Sequence, residues 1–417
     1  MTASKNSTMK CGLIGEHLGH SFSPLIHACL ADYSYELWEI SPEELKKFVT
    51  SRELDAYNVT IPYKKAVMPY LDEISDEAQA IGAVNTVVRR GQRLCGYNTD
   101  YFGFCYMLER SGIDVKGKKA LIFGAGGAAA TACAVLRDKG ACEIATLSSA
   151  QNTPENVRLH QDAEIVINAT PVGTYPNNLA SPTDLAIFTD LQGVLDVIYN
   201  PARTALLLQA ESLGVPYSNG LPMLVAQAVR AFELFTGDVS EPDACEKIID
   251  KIRQDTENII LIGMPGAGKS TVSRIVAQKL GRQFFDTDDV FCEKFGRSPA
   301  EVITAEGEEI FRNMESEVIL ELGKKSGAVI SCGGGVVTKE RNYSPLHQNG
   351  VIVFLERALE NLTGQGRPLS ASYPLQELYD ARISAYIAFS DIRVASTEIP
   401  EKTAELIIND LKNRGKI

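Results

Sequence analysis

The stretch LIGMPGAGKST, from Leu261 to Thr271, has the spacing of a loop that cradles nucleotide phosphates. Gly263 to Ser270 match the pattern G-x-x-x-x-G-K-S without a mismatch, after a strand-like segment and before a helix-like one. In such a loop the glycines let backbone N–H groups close around phosphate oxygens, while Lys269 reaches the β- and γ-phosphates and Ser270 ligates Mg²⁺. The pattern therefore predicts a nucleoside triphosphate site with Mg²⁺. The residues predicted to contact the nucleotide are Gly266, Ala267, Gly268, Lys269, Ser270 and Thr271.

Carboxylates and arginines downstream of this loop could orient a second substrate. Asp286 and Asp288 end the strand-like segment FFDTDD, and a pair of this kind projects from a strand end toward the phosphates. Asp286 could then order Mg²⁺ through water while Asp288 orients an acceptor hydroxyl. Two arginines follow, Arg312 and Arg382. Three consecutive glycines, Gly333 to Gly335, come directly after another strand, where they permit either close approach of a ligand or simply a tight turn.

A second glycine-rich turn, LIFGAGGAAA, lies far upstream between a strand-like and a helix-like segment. This order is typical of a dinucleotide-binding turn, although the turn alone is a weak signal. About twenty residues further on, where an acid would select NAD, the chain reads Leu147-Ser148-Ser149. These residues provide neither an acid for the ribose hydroxyl nor an arginine for a 2′-phosphate. The pattern therefore leaves the choice between NADP and NAD open.

The segments that precede this second turn contain several polar side chains. These side chains are hydroxyls, amides, one lysine and one aspartate. Such a set suits a small polyhydroxylated acid. Reduction of a ketone needs a proton donor for the alkoxide that forms as hydride arrives, and Lys64 beside Asp100 could supply the proton if burial draws the lysine pKa toward neutrality. The polar residues of these segments are Ser21, Ser23, Asn58, Thr60, Lys64, Asn85, Asn98, Thr99 and Asp100.

Strand-like and helix-like segments alternate along the chain, which predicts α/β layers with parallel sheets. Two helices are each expected to begin at a Ser-Pro pair, in SPLIHACLADY and SPEELKKFVTSREL. The polar stretch GDVSEPDACEKIIDKIRQDTEN separates the two glycine-turn regions, and the main domain boundary is predicted near Asp250 to Glu257. The predicted strands are KCGLIG, KKALIF, CEIATL, AEIVINAT, GVLDVIY, IILIG, RQFFDTD, GAVISC, GVIVFLE and DIRVAS.

Length and composition limit the function classes. A chain of 417 residues is long enough for two or three domains. The net charge of −12 gives no general attraction to nucleic acid or to an anionic membrane. Nine scattered cysteines without a C-x-x-C pair favour reduced thiols over zinc sites or disulfides. The sequence contains neither the apolar core of a signal peptide nor an apolar run long enough to cross a membrane. We therefore expect the protein to be a cytoplasmic enzyme that acts on small molecules.

From residue 258 to its end, the chain resembles shikimate kinase. The resemblance implies a P-loop domain over residues 258–417, with a parallel sheet of about five strands, that binds ATP, Mg²⁺ and shikimate. It implies that Asp288 holds the shikimate hydroxyls and acts as the base. Arg312 and Arg382 would clamp the carboxylate beside Gly333, Gly334 and Gly335, and Arg367 would close over ATP. The family motifs present are the phosphate loop, F-x-D-x-D, G-E-x-x-F-R, G-G-G, R-P-L and R-x-x-x-Y.

From about Lys10 to Gly237 the chain resembles shikimate dehydrogenase, and the match continues in INATPVGT, DVIYNPARTALL and NGLPMLVAQAVRAFELFTG. The resemblance implies an α/β substrate domain over 9–103 and 220–240, a Rossmann domain over 104–219, and a linker over 241–257. It implies Lys64 and Asp100 as the catalytic pair. Substrate contacts would be Ser21, Ser23, Thr60, Asn85, Tyr199 and Gln227. Cofactor contacts would be Gly124, Ala125, Gly126, Gly127, Ala128, Ser148 and Gly220.

One departure from the second family is Tyr101, which stands where glycine commonly follows the N-T-D triplet. Its ring could narrow the pocket and change substrate choice.

The two implied reactions are consecutive, so each identification supports the other. We predict a bifunctional enzyme that reduces 3-dehydroshikimate to shikimate with NADP, NAD being the alternative, and then phosphorylates shikimate with ATP. Two other interpretations stay open: a preference of the first half for quinate, and a sensor that only binds metabolites. The presence of the predicted catalytic and substrate-binding residues argues against the sensor interpretation. Those residues are Lys64, Asp100, Lys269, Asp288 and Arg312.

Overall fold

The computed structural model describes residues 9–19, 21–362 and 375–417. By its internal contacts the chain forms two compact units. The first unit comprises Met1–Tyr199 and Leu206–Ile249, and the second comprises Asn200–Ala205 and Asp250–Ile417. Among the described residues, no helix is long and apolar enough to cross a membrane.

The first sheet of the first unit is six-stranded and mixed. Its strands are Lys10–Gly15 (β1), Ser34–Glu39 (β2), Ala56–Val59 (β3), Glu73–Ile74 (β4), Thr86–Arg90 (β5) and Arg93–Tyr97 (β6). They lie in the order β2-β1-β3-β5-β6-β4. The prediction of parallel sheets throughout is wrong here, because β5 runs antiparallel to both β3 and β6. A short turn containing Gly91, with φ of +63°, joins β5 to β6, and so short a connection permits only antiparallel pairing.

Five helices accompany this sheet, and one of the two that were predicted to begin at a Ser-Pro pair begins later in the chain. They are Ser23–Leu30 (α1), Leu45–Ser51 (α2), Tyr63–Ala66 (α3), Asp76–Ile81 (α4) and Thr99–Ser111 (α5). Ser23 is the first residue of α1 rather than its cap, and Phe22 precedes it without a side-chain cap. Helix α2 begins only after Glu44, because the hydroxyl of Ser41 donates to the Glu44 carboxylate (2.8 Å) within a preceding turn. Helix α1 therefore begins at its Ser-Pro pair as predicted, although Ser23 does not cap it, whereas the predicted start of α2 is wrong.

The second sheet of this unit is parallel and carries the upstream glycine turn. Its strands are Lys119–Phe123 (β7), Glu143–Leu147 (β8), Ile165–Asn168 (β9), Gly193–Asp196 (β10) and Tyr217–Ser218 (β11), in the order β11-β10-β9-β7-β8. Its helices are Gly127–Asp138 (α6), Pro154–Arg158 (α7) and Ala205–Ser212 (α8). The glycine turn leaves β7 between β8 and β9, and such a crevice at the carboxyl ends of parallel strands is where doubly wound folds bind ligands.

Helix Leu221–Thr236 (α9) returns to the first sheet, where it contacts α1, α5 and β5. Helices α5 and α9 approach closely because Gly103 lacks a side chain. A methyl group on Gly103 would come within 2.5 Å of the Met223 carbonyl oxygen. This contact brings residues from the C-terminal part of the first unit against the first sheet.

The segment predicted as a polar linker, 241–257, is mostly helical. Helix Ala244–Thr256 (α10) contains the division between the two units, which falls after Ile249. Ile248, Ile249 and Ile252 are buried, so one side of this polar sequence is apolar, and that amphipathic pattern favours a helix over an extended linker.

The sheet of the second unit is parallel and five-stranded, as predicted. Its strands are Asn258–Ile262 (β12), Phe284–Asp286 (β13), Val329–Ser331 (β14), Gly350–Glu356 (β15) and Ile392–Ala395 (β16), in the order β13-β14-β12-β15-β16. Its helices are Lys269–Leu280 (α11), Thr287–Phe295 (α12), Pro299–Glu306 (α13), Glu308–Leu322 (α14), Tyr343–His347 (α15), Leu375–Phe389 (α16) and Pro400–Asn413 (α17). The central strand β12 is fully buried and leads directly into the phosphate loop.

Candidate active sites

The first unit contains a cavity of about 210 Å³ at the predicted dehydrogenase site. It is smaller than the range of roughly 300–1,000 Å³ typical of drug-sized ligands, so it suits a compact molecule. The structure brings the predicted substrate contacts and the predicted catalytic pair together on its wall. The lining residues that the sequence singled out are Ser21, Ser23, Asn58, Thr60, Lys64, Asn85, Asp100, Ala128, Tyr199, Gly220 and Gln227.

Lys64 and Asp100 form an ion pair on the cavity wall. The Lys64 ammonium lies 2.6 Å from Oδ2 of Asp100, and the side chains are 20% and 9% exposed. Helix α3 presents the lysine, and the first turn of α5 presents the aspartate. Asn98 fixes that turn, because its Oδ1 accepts from the N–H of Tyr101 (3.2 Å). A charge-assisted bond held largely away from water is strong and directional, so it aims a proton donor at the cavity.

The predicted cofactor turn reaches the same cavity. A methyl group on Gly127 would come within 3.5 Å of Cδ of Lys64, so the start of α6 and the lysine side chain are neighbours. Gly124 has a φ of +123°, and a methyl group on it would come within 2.8 Å of the Ala169 carbonyl oxygen. Only glycine fits such a position. Helix α6 begins after Gly126 without a side-chain cap. Its backbone donors fit a pyrophosphate.

Hydrogen bonds to the first turn of helix α5 and to strand β5 fix the orientation of the Asn85 side-chain amide. Its Oδ1 accepts from the N–H of Thr99 (2.7 Å) and from the hydroxyl of Thr86 (3.1 Å). Its Nδ2 donates one hydrogen to the hydroxyl of Thr99 (3.0 Å). Since the carbonyl oxygen is fully used, the group that Asn85 offers to a ligand is its second N–H.

Asn58 lines the cavity but was not among the predicted substrate contacts. It lies two residues before Thr60 on β3, and residues two apart on a strand share a face. That spacing was the signal that could have identified it. The hydroxyl of Tyr35 donates to Oδ1 of Asn58 (2.8 Å), and Nδ2 donates to the hydroxyl of Thr86 (3.1 Å). Burial raises the pKa of Tyr35 well above its ordinary value, so its hydroxyl remains a donor.

Tyr101 does not narrow the cavity. Its ring is absent from the cavity wall. Its hydroxyl donates instead to Oδ2 of Asp138 at the end of α6 (2.7 Å). Successive residues of a helix point about 100° apart, so Asp100 faces the cavity while its neighbour faces α6.

Ser148, the predicted contact at the ribose end of the cofactor, is bonded to a neighbouring amide. Its backbone N–H and its hydroxyl both donate to Oε1 of Gln151 (3.1 and 2.7 Å). The end of β8 therefore presents neutral groups, and residues 147–149 contribute no cation toward a 2′-phosphate.

Three glycines of the phosphate loop in the second unit have positive φ angles. Gly263, Gly266 and Gly268 have φ of +149°, +81° and +90°, which glycine adopts most readily. Lys269 is 4% exposed, and its ammonium donates to the carbonyl oxygens of Gly263 (2.9 Å) and Met264 (3.0 Å). These bonds hold the lysine over the loop that helix α11 follows.

The residues predicted to bind Mg²⁺ meet at one edge of the sheet. Asp286 on β13 pairs in register with Ser331 on β14, and the hydroxyl of Ser331 lies 3.3 Å from that of Ser270. Oδ1 of Asp286 caps α12 by accepting from the N–H of Asp288 (3.0 Å), so Oδ2 can bind a metal or its water. No cluster of three acidic, histidine or cysteine ligands occurs in the described ranges. One hydroxyl and one carboxylate nevertheless fit Mg²⁺, which takes its other ligands from phosphate and water.

Arg312 is buried and pairs with two carboxylates of its own helix, α14. Its Nη1 donates to Glu315 (2.8 Å) and its Nη2 to Glu308 (2.9 Å). Burial alone would lower the pKa of Arg312, but the carboxylates of Glu315 and Glu308 raise it above its ordinary value. The guanidinium is therefore charged, and each terminal nitrogen keeps a second N–H for a ligand.

The glycines Gly333 to Gly335 let three predicted substrate-binding side chains converge. A methyl group on the third glycine would overlap the Arg312 guanidinium, and one on the first would come within 3.4 Å of Oδ1 of Asp288. The carbonyl oxygen of the middle glycine accepts from Nη1 of Arg382 (3.1 Å). The turn is therefore more than a tight bend, because a larger residue at Gly335 would displace the Arg312 guanidinium.

Arg367, predicted to close over ATP, lies outside the described residues, as do the proline and leucine that follow it in the R-P-L motif. The tyrosine of the R-x-x-x-Y motif, Tyr386, is fully buried and donates its hydroxyl to the carbonyl oxygen of Gly334.

Comparison with known proteins confirms both expected resemblances. Family models described as "Shikimate dehydrogenase substrate binding domain" and "Shikimate 5'-dehydrogenase C-terminal domain" match residues 13–87 and 220–247, and one described as "Shikimate kinase" matches residues 265–412. A relative named shikimate dehydrogenase (NADP(+)), from Caldanaerobacter subterraneus subsp. tengcongensis, is 37% identical over 276 residues, covering 60% of this chain and 98% of the relative.

Two similar solved structures contain ligands. Shikimate 5-dehydrogenase from Thermus thermophilus, in complex with NADP(H) and shikimate, is 33% identical with a TM-score of 0.53, covering 58% of this chain and 99% of that chain. Shikimate 5-dehydrogenase from Listeria monocytogenes, in complex with shikimate and NAD, is 31% identical with a TM-score of 0.51, covering 60% of this chain and 99% of that chain.

Proposed function

Since this chain belongs to the shikimate dehydrogenase family and also carries a shikimate kinase domain, we propose that it catalyses two consecutive steps of the shikimate pathway. The first unit reduces 3-dehydroshikimate to shikimate with a nicotinamide cofactor. The second unit transfers the terminal phosphoryl group of ATP to shikimate, which gives shikimate 3-phosphate. The observation that carries the proposal is the cavity whose wall unites the Lys64–Asp100 pair with the polar side chains expected to hold a small hydroxy acid.

In the dehydrogenase reaction, a nicotinamide cofactor bound at the glycine turn supplies the hydride. Lys64 gives a proton from its ammonium to the ketone oxygen of 3-dehydroshikimate as that oxygen becomes a hydroxyl. Asp100, 2.6 Å from the ammonium, holds the lysine in line with the substrate. The second N–H of Asn85 donates to a substrate oxygen. The other substrate contacts come from side chains that line the same cavity, namely Ser21, Ser23, Asn58, Thr60, Tyr199 and Gln227.

In the kinase reaction, Asp288 accepts the proton of the shikimate hydroxyl that attacks the γ-phosphorus. Arg312 and Arg382 hold the shikimate carboxylate beside the glycine turn on which both side chains converge. Lys269 and the backbone donors of the phosphate loop stabilise the charge of the transferring phosphoryl group. Mg²⁺, when bound by Ser270 and by Asp286 through water, neutralises phosphate charge.

For the cofactor we propose NADP in preference to NAD. The relative from Caldanaerobacter is named for NADP(+), and the Thermus structure contains NADP(H). Because the end of β8 presents Ser148 bonded to Gln151 and no arginine, the preference should be modest. A charge-assisted contact to a 2′-phosphate contributes about 1.5–3 kcal/mol, and this strand end cannot supply it.

A spectrophotometric assay of 3-dehydroshikimate reduction, run in parallel with NADPH and NADH, tests the first activity. Addition of ATP and Mg²⁺, with ADP release followed by a coupled assay, tests the second. We expect both activities from one preparation and faster reduction with NADPH. A strong preference for quinate over shikimate in the reverse reaction, or binding of shikimate without any turnover, would overturn the proposal.

Replacement of Tyr35 by phenylalanine should weaken shikimate binding by the dehydrogenase. The change removes the donor that fixes the Asn58 amide, so that amide can rotate. We expect the KM for shikimate to rise about three- to tenfold, the value of one hydrogen bond, with kcat nearly unchanged. Tyr57→Phe is the matched control, because the Tyr57 hydroxyl is buried and has no hydrogen-bond partner in the part of the chain that the structure describes. Equal effects of the two changes would contradict this role of Tyr35.

Replacement of Arg382 by alanine should raise the kinase KM for shikimate. Loss of a charge-assisted contact to the substrate carboxylate corresponds to roughly a ten- to hundredfold effect, and the KM for ATP should change little. Arg414→Ala is a suitable control, since that side chain is 53% exposed and pairs with Asp410. An unchanged KM for shikimate in Arg382→Ala would remove this arginine from the carboxylate site.

A further inference from the structure

Arg357 follows β15 at the carboxyl end of the five-stranded sheet of the second unit, which carries the phosphate loop. Strand β15 pairs in parallel with β12 through Ile262 and Phe354. The end of β15 approaches the beginning of the loop closely. A methyl group on Gly263 would come within 2.7 Å of the Leu355 carbonyl oxygen. The backbone position of Arg357 relative to the loop is therefore set by sheet pairing and by a close backbone contact.

The guanidinium of Arg357 reaches the last glycine of the loop. A methyl group on Gly268 would lie 3.8 Å from Nη1 of Arg357. Of the described residues outside the chain neighbours and the helix of Gly268, only this arginine would come within 4 Å of it. Gly268 immediately precedes Lys269 at the start of α11, where backbone donors face bound phosphates.

Arg357 has no charge partner within the described ranges of the chain. The ion pairs and hydrogen bonds of those ranges do not include its guanidinium, although the side chain is half-buried. A cation that is half removed from water, beside the positive end of a helix, is unfavourable without an anion. The ammonium of Lys269, which is bonded to two carbonyl oxygens of the loop, is a second cation at this site and increases the need for an anion.

We propose that Arg357 binds the phosphate oxygens of the nucleotide at the Gly268 end of the loop. The inference rests on the proposed kinase function and adds a residue to its nucleotide site. The guanidinium supplies a bidentate contact to non-bridging oxygens, and the residue acts on the nucleotide rather than on shikimate.

Calorimetric titration of ADP and of GDP with Mg²⁺, on the full chain and its variants, tests the inference. For Arg357→Ala we expect the Kd of both nucleotides to rise about tenfold, the value of one charge-assisted contact. Arg357→Lys should recover part of that loss, and the matched control Arg393→Ala, an exposed arginine of β16, should leave both Kd values unchanged. The kinase KM for ATP should follow the Kd of ADP, with the KM for shikimate unchanged.

An unchanged Kd for ADP in Arg357→Ala would overturn the inference. Weakened binding of ADP but not of GDP would also overturn it, because that result would assign the contact to the base. If the wild-type chain binds ADP but phosphorylates no shikimate, the proposed kinase function fails, whereas the titrations still decide the role of Arg357.

Discussion

Replacement of Lys64 by alanine should lower the rate of 3-dehydroshikimate reduction by about 10³-fold, within the range of roughly 10²–10⁴ that a positioned general acid contributes. The structure places the Lys64 ammonium 2.6 Å from Asp100, on the wall of the cavity, and next to the glycine turn. Removal of the side chain deletes the proton donor and leaves Asp100, which is only 7% exposed, as a buried carboxylate without its partner. The effect should appear in kcat for reduction, measured by oxidation of NADPH.

The matched control for Lys64→Ala is Lys65→Ala, since Lys65 is the next residue and is exposed. That variant should reduce 3-dehydroshikimate at nearly the wild-type rate. Phosphorylation of shikimate should be retained in both variants, because Lys64 belongs to the first unit and the kinase residues to the second. If Lys64→Ala lost both activities equally, the assignment of the reduction to a separate site would be wrong.

Replacement of Lys269 by alanine should have the opposite effect on the two activities. Lys269 lies over the phosphate loop and is 4% exposed, and a cation aimed at the charge of a transferring phosphoryl group contributes about 10²–10³-fold. We expect kcat for shikimate phosphorylation to fall by at least that factor while reduction of 3-dehydroshikimate continues. Release of ADP in the presence of shikimate measures the effect.

Lys279→Ala is the control for this change. It alters the last turn of the same helix, α11, where the lysine forms a surface ion pair with Glu405 (2.7 Å), and pairs of this kind contribute little. Phosphorylation at the wild-type rate in Lys269→Ala would mean that the loop does not act on the γ-phosphate.

The parallel sheet of the second unit was predictable because its strands are short apolar runs separated by helical patterns. The phosphate loop was predictable because few sequences satisfy its spacing by chance. The first sheet was less predictable. Strands β5 and β6 are joined by a turn around Gly91, and the alternation of strand and helix elsewhere concealed this antiparallel hairpin. The helix at 244–256 was not predicted within the linker, because charged residues separate its few buried isoleucines.

The side chains that line the cavity were largely anticipated, whereas their supporting bonds were not. A sequence indicates that Asn58 and Thr60 share a strand face, but it does not indicate that Tyr35, from a different strand, fixes the Asn58 amide. The sequence also left open whether the ring of Tyr101 narrows the cavity, and helix geometry turns that ring toward Asp138. Arg357 carries no motif, and only the pairing of β15 with β12 brings it to the phosphate loop.

A single reaction mixture tests most directly whether one chain performs both steps. It contains the purified protein, 3-dehydroshikimate, NADPH, ATP and Mg²⁺, and mass spectrometry follows all three acids over time. We expect shikimate to rise and then fall while shikimate 3-phosphate accumulates, with the sum of the two equal to the NADPH oxidised. Shikimate that accumulates without its phosphate ester, or an ester that forms when NADPH is omitted, would contradict the account.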